Sequence, residues 1–241
     1  MWDKWRSAFH SLTAIFFPPL CIHCQESLED SNTLLCGICS QQLELIDSSS
    51  RCPRCFSPHW SPYRRLCGHC HSFPSPFSGL AATLEHIGPA ATLVKKMKYG
   101  NEPYLARGAA ALLVAQWAQL NWPLPDLIVP APISPLHRTV RGYNQSALLA
   151  TAMGKILGRP AVSLLRRHGN SWRQAGLSRN QRQSLSPSAF TLNSSTDIED
   201  KRVLLIDDVL TTGTTLRCCA EALAAGYPQS IYGLCLTVST S

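Results

Sequence analysis

Apolar and polar positions fall into two regimes along this chain. From residue 79 onward, short apolar runs alternate with stretches of helix-forming composition. Residues 80–86, 127–130, 203–206 and 231–238 have the length and composition of buried strands, and 162–164 adds a shorter one. Residues 90–98, 104–119, 146–157 and 216–225 read as helices. Strands taking turns with helices predict an α/β domain over residues 79–241, built on a parallel sheet. Residues 18–73 behave differently. Prolines, glycines and short polar runs break every period there, which predicts knuckles and small hairpins. A Pro/Ser-rich joint at 73–78 separates the two regions, and residues 1–17 form a lead-in.

The broken region is rich in cysteine. Eight of the chain's 11 cysteines form four Cys-x-x-Cys pairs, Cys21/Cys24, Cys36/Cys39, Cys52/Cys55 and Cys67/Cys70, with 11, 12 and 11 residues between successive pairs. Such a turn presents two thiolates to one ion, and two turns complete a tetrahedral four-sulfur site. Eight thiolates therefore suit about two zinc ions. Joining neighbours gives one ribbon at 21–39 and another at 52–70, while spacing alone leaves a crossed arrangement open. Disulfides are the competing reading, and no export signal supports an oxidising compartment. Zinc saturated by sulfur is structural, holding together a segment too poor in apolar residues to fold alone. His23, His69 and His71 lie within or beside the knuckles and could substitute as ligands, but the cysteines already suffice and the histidines read as bystanders. Cys218, Cys219 and Cys235 have no pairing pattern and read as core thiols.

The second concentration of chemistry follows the strand at 203–206. Asp207 and Asp208 come first, then Thr211, Thr212, Gly213, Thr214 and Thr215, then a helix. A strand opening through a small-residue loop into a helix cradles phosphate, because the helix start offers free N–H donors and a positive dipole end. Gly213 permits close backbone approach, and the threonines add hydroxyl donors. Carboxylates repel phosphate, so the acid pair must face another part of the ligand. Vicinal sugar hydroxyls fit, and a sugar 5-phosphate satisfies both halves. The stretch resembles the signature of the type I phosphoribosyltransferases, which hold phosphoribosyl pyrophosphate (PRPP). By that resemblance Asp207 and Asp208 take the ribose hydroxyls and act in catalysis, and 211–215 take the 5-phosphate. No G-x-x-x-x-G-K-[ST] run occurs, so a P-loop nucleotidase is not supported.

Charge adds a second anion locus. The formal net charge is +7, yet residues 1–80 carry six basic and six acidic side chains. The excess lies between Asp126 and Asp197, which enclose nine basic residues and no acidic one. Within it, the strand at 127–130 opens through Arg138, Arg141, Gly142, Asn144 and Gln145 into a helix, an arrangement suited to pyrophosphate. Residues 166–188 are long, polar and Arg-rich, with Gln174, Arg179 and Arg182, and read as a lid over a charged substrate. Polyanion binding would also use such a surface, and Phe56, Trp60, Tyr63 and Trp172 lie near arginines in a way compatible with single-stranded DNA. The apolar stretch at 14–20 is short and broken by Pro18 and Pro19, so neither a membrane span nor a secretory signal is expected. The default is a soluble, cytoplasmic protein.

With these pieces together the chain resembles the ComF family, the GntX-like double-zinc-ribbon proteins with a phosphoribosyltransferase domain. The resemblance rests on Cys21–Cys70, on Lys98–Tyr99–Gly100, on Val129–Pro130–Ala131–Pro132 with Arg141–Gly142–Tyr143–Asn144–Gln145, and on Ile206–Leu216. It implies a doubly wound parallel sheet with a small N-terminal double zinc ribbon. It further implies Mg²⁺–PRPP as ligand and a role in natural competence, the uptake or use of DNA, beside DNA-uptake or recombination proteins. Phosphoribosyl transfer is the expected reaction. The alternative is a non-catalytic PRPP sensor, or a scaffold for DNA or a partner.

Overall fold

The computed structural model describes residues 19–30, 33–168, 189–193 and 196–239. The expected lid residues Gln174, Arg179 and Arg182 lie outside them, as do Trp172 and the lead-in at 1–17. After two short helices of the cysteine region, α1 (Gly37–Gln41) and α2 (Gly68–Ser72), the chain runs β1 (Gly79–Glu85), α3 (Gly88–Tyr99), α4 (Ala106–Gln119) and β2 (Leu127–Pro130). It continues as α5 (Pro135–Arg141), α6 (Gln145–Leu157), β3 (Leu165–Arg167), β4 (Phe190–Leu192), β5 (Arg202–Leu210), α7 (Thr214–Ala224) and β6 (Ser230–Val238).

Four strands lie side by side in the order β1-β6-β5-β2, all parallel. β5 is interior, with Val203 opposite Leu127 on one side and Ile231 on the other. Its apolar run is buried on both faces, as an interior parallel strand requires. From β5 the chain crosses through α7 to β6, while from β2 it crosses through α6 to Ala161, which bridges Ile128 on the outer side. These crossovers run in opposite directions along the sheet. Right-handed connections then put α7 on one face and α6 on the other. Accordingly α4 and α6 pack on each other, and α7 packs on the antiparallel β3–β4 hairpin. The sheet is doubly wound, and its direction reverses between β2 and β5. The crevice beyond the carboxyl ends of those two strands is where such sheets hold ligands.

Two elements differ from the expectation. Residues 135–141 form α5, where the sequence suggested only a loop. Ser134 caps it by accepting from the His137 N–H, Pro135 starts it, and Gly142 ends it with φ +77°. No residue of α5 is buried, so it has no apolar face to betray it. The run at 162–164 divides its backbone between two partners. The Val162 N–H donates to Ile128, and the Leu164 carbonyl accepts from Asn193 beside the hairpin. Among the described residues, no helix is long and apolar enough to cross a membrane.

The cysteine region is fastened to the sheet. Ile22, Ile46 and Phe56 are buried within the main core. The Ile46 N–H donates to the Thr83 carbonyl of edge strand β1 (2.9 Å), and buried Gln116 of α4 donates to the Ile46 carbonyl (3.0 Å). Arg51 pairs with Glu85 at 2.6 Å and lies over the Phe56 ring. His23, inside the first knuckle, bonds Thr92 of α3 through Nδ1 at 2.8 Å.

Candidate functional site

A cleft of about 690 Å³ opens at the carboxyl ends of the strands, where the sheet reverses. Asp207, Asp208, Thr211 and Thr215 line it from the β5–α7 connection, and His137 and Arg141 line it from α5. α3 contributes Thr92, Lys95, Lys98 and Tyr99, β3 contributes Arg167, and His86 lines it just past the end of β1.

The two aspartates are not equivalent. Successive strand residues point to opposite sides. Asp207 turns to the start of α6, where Oδ1 accepts from Ser146 Oγ (2.8 Å) and from the Asp208 N–H (2.9 Å). Desolvation and the neighbouring Asp208 charge push Asp207 up to about 7, with those hydrogen bonds acting in the other direction. Asp208 instead meets a cation: Lys98 Nζ lies 2.8 Å from its Oδ1. His86 stands nearby. The Thr237 hydroxyl donates to the Asp208 carbonyl (3.2 Å), so His86 Nδ1, 2.9 Å from Thr237 Oγ1, must donate to that hydroxyl oxygen. Burial and the Lys98 charge hold His86 below its ordinary value, which keeps the imidazole neutral at pH 7.

Past the acids, Gly213 sits at φ +71° as the capping residue just before α7, and it offers no side chain to cap that helix. The Thr214 N–H reaches Thr212 Oγ1 at 3.5 Å, and the N–H groups that follow it in the first turn face the anion seat. Thr212 and Thr214 share a hydroxyl contact of 2.9 Å beside them.

The loop before α6 is arranged differently from the row of donors suggested by its sequence. Arg141 reaches the cleft, where its guanidinium lies over Tyr99 and donates to the Tyr99 hydroxyl (3.2 Å). Arg138 is exposed on α5 and is not part of the cleft wall. Asn144 donates to the Ala131 carbonyl (2.9 Å) and caps α6 through Ser146 N–H. Gln145 is fully buried, donating to the Met97 carbonyl (3.4 Å) and accepting from Arg141 (3.3 Å). The Tyr143 hydroxyl donates to the same Met97 carbonyl (2.9 Å). Residues 141–145 thus clamp the end of α3 that carries Lys98 and Tyr99. In the sequence Lys98 stood out within the Lys98–Tyr99–Gly100 element of the resemblance, but its partner Asp208 was not readable there.

In the cysteine region the Sγ atoms of Cys21, Cys24, Cys36 and Cys39 lie within 4.8 Å of one another, and so do those of Cys52, Cys55, Cys67 and Cys70. Neighbouring pairs join, and the crossed arrangement is excluded. Cys24 and Cys36 stand 3.6 Å apart, as do Cys55 and Cys67. That is close to the edge of a tetrahedron with metal–sulfur bonds of about 2.3 Å, and far from a bonded disulfide at about 2.05 Å. The donor chemistry fits zinc. Of the aromatics considered for stacking, Phe56 is buried, Trp60 donates to the Arg64 carbonyl (2.8 Å), and Tyr63 is exposed.

A second groove, of about 870 Å³, lies between the second cysteine cluster and the start of α7. Arg54, His59, His69 and Arg217 face it, Phe73 is exposed on its wall, and Thr211–Gly213 separate it from the cleft. Among the described residues no carboxylate lines it.

Comparison with known proteins agrees with both regions. The phosphoribosyl transferase domain family matches residues 146–238, and the double zinc ribbon domain family matches 12–71. Competence protein F of Haemophilus influenzae is 32% identical over 209 residues, covering 83% of this chain and 89% of that protein. The DNA utilization protein YhgH of Salmonella typhi is 29% identical, covering 91% and 96%. Among solved structures, the glutamine PRPP amidotransferase of B. subtilis is 18% identical with a TM-score of 0.41, and the match covers 59% of this chain and 30% of that one. With one relative at 32% identity over most of both chains, and the two family matches falling on the cysteine clusters and on the β5–α7 loop, the protein belongs to the ComF family.

Proposed function

We propose that the cleft binds Mg²⁺–PRPP and that the protein is a phosphoribosyltransferase-type component of natural competence or DNA utilisation. One observation carries the ligand: a paired carboxylate and an uncapped helix start stand at one strand end, where the sheet reverses. The 5-phosphate meets Thr211–Thr215 and the N–H groups of α7, and the ribose hydroxyls meet Asp208 and Asp207. The pyrophosphate faces Arg141, with Arg138 outside it and Asn144 and Gln145 fixing the loop. The lid residues Gln174, Arg179 and Arg182 belong to this reading as cations and donors that exclude water. Bound Mg²⁺ would neutralise pyrophosphate charge, and Asp207 or Asp208 could help hold it. As the C1–oxygen bond to pyrophosphate breaks, the cleft carboxylates stabilise the cationic sugar, and a nitrogen nucleophile takes its place at C1. Each cysteine cluster holds one structural zinc. Competence rests on the relatives' names, competence protein F and DNA utilization protein. In this reading the thiols stay reduced in the cytoplasm.

Calorimetric titration of zinc-replete protein with Mg²⁺–PRPP tests the ligand. Saturable binding by wild type is expected, and none by the Asp207→Asn, Asp208→Asn double variant of unchanged zinc content. Full binding by that variant discards the pocket.

The groove beside the second cluster favours a second reading, a scaffold that docks single-stranded DNA or a partner. Its cations and exposed Phe73 suit a phosphate backbone and an unstacked base. Affinity for an oligonucleotide should then fall steeply between about 50 and 200 mM salt. Affinity indifferent to salt refutes this reading.

A further inference from the structure

The anion seat beside the 5-phosphate loop is walled by Lys95, Lys98, Arg141 and Arg167, while the other donors of the sequence motif are committed elsewhere. Arg138 is outside the cleft wall, Asn144 serves Ala131 and the cap of α6, and Gln145 is buried on Met97. Lys98 is in the cleft. Its side chain is 21% exposed, and its ammonium is 2.8 Å from Asp208, itself 13% exposed. An ion pair so far removed from water costs desolvation on both partners, and a ligand offering each a better partner regains part of that cost. A phosphorylated ribose with an anion on C1 is such a ligand, because its hydroxyls suit Asp208 and its anion suits Lys98.

Placement of Lys98 is built into the fold. The Met97 carbonyl accepts from Tyr143 and Gln145, both in the loop before α6, and the Gly100 N–H donates to the Lys96 carbonyl (2.8 Å). A Cβ on Gly100 would stand 2.8 Å from that carbonyl, so the last turn of α3 has no room for another residue there. Arg141 rests on Tyr99, one residue along. Lys98 is thereby fixed across the acid pair from the Thr211–Thr215 loop.

We propose that Lys98 is a ligand-binding residue: it holds Asp208 in the free protein and transfers to the pyrophosphate, or another anionic group on C1, when the sugar phosphate enters. Tyr143 is the corresponding positioning residue, acting through the Met97 carbonyl. The inference rests on the phosphoribosyl reading of the cleft, and it sharpens that reading by giving the Lys98 ammonium, beside Arg141, a share in the preference for PRPP over ribose 5-phosphate.

The test is calorimetry on zinc-replete full-length protein with three probes: ribose 5-phosphate, inorganic pyrophosphate with Mg²⁺, and Mg²⁺–PRPP. For Lys98→Met, pyrophosphate and PRPP should weaken by about tenfold or more, the size expected for losing a charge-assisted hydrogen bond. Ribose 5-phosphate should bind as before or more tightly, since Asp208 is released. Tyr143→Phe, which deletes one hydroxyl, should show the same selective loss at a few-fold, and decides the matter if Lys98→Met fails to fold. Equal affinity for pyrophosphate in wild type and both variants overturns the inference, as does an equal loss across all three probes. If wild type binds pyrophosphate through Lys98 but not ribose 5-phosphate, the phosphoribosyl reading falls while Lys98 remains an anion ligand. If wild type binds PRPP and Lys98→Met binds it equally, only the Lys98 assignment falls. Wild type that binds none of the three overturns both.

Discussion

Asp207→Asn should stabilise the free protein above neutral pH, although it removes a residue of the binding cleft. The Asp207 carboxyl is lifted from its ordinary 3.8 to about 7, chiefly by desolvation and then by the Asp208 charge. A folded-state pKa above the unfolded one means that the native state binds the proton more tightly. That contribution is complete below the unfolded pKa and is lost as pH rises through the folded one. Every tenfold gain in proton affinity is worth about 1.4 kcal/mol, so folding around this carboxyl, which the unfolded chain ionises, costs about 4 kcal/mol at pH 8 and about 2 kcal/mol at pH 5. Asparagine keeps an oxygen that accepts from Ser146 and from the Asp208 N–H, and it removes the charge that the site desolvates. The neutral imidazoles of His86 and His137, both held below their ordinary values, titrate in the opposite sense. Subtracting wild type from variant cancels them. Urea denaturation at pH 5 and pH 8 should therefore show an advantage for Asp207→Asn that grows by roughly 2–3 kcal/mol between the two. An advantage independent of pH, or a variant less stable than wild type at pH 8, would show that the carboxylate is not desolvated and that the division of roles between the aspartates is wrong.

Elemental analysis should find about two zinc ions per chain. Chelation should lower the melting midpoint, and replacing buried Cys52 should lower it more than replacing exposed Cys24; no zinc at all would restore the thiol or disulfide reading. Gly213→Ala places a Cβ at φ +71° and should cost about 1 kcal/mol of stability while weakening ribose 5-phosphate binding. Unchanged affinity in a folded Gly213→Ala protein would remove the loop from the phosphate seat.

What the sequence by itself determined are the features whose physics is local. A Cys-x-x-Cys turn chelates because two thiolates a few residues apart must face one way. A buried strand, two acids, a glycine and a helix start make a cradle within about 14 residues. Buried strands and helices are likewise visible through their own periods, whereas α5, with no buried face, is not. The tertiary structure decided everything that depends on a distant hydrogen-bond partner. That neighbouring rather than crossed cysteine pairs join is visible only in the fold, where each cluster gathers four Sγ atoms within 4.8 Å of one another. Asn144 and Gln145 look like free amide donors in isolation, yet carbonyls at Ala131 and Met97 consume them. Asp207 and Asp208, identical in kind, part company because α6 offers one a hydroxyl and α3 offers the other an ammonium. A residue type states which bonds it can make; only the fold determines which of those bonds are already made and which remain for a ligand.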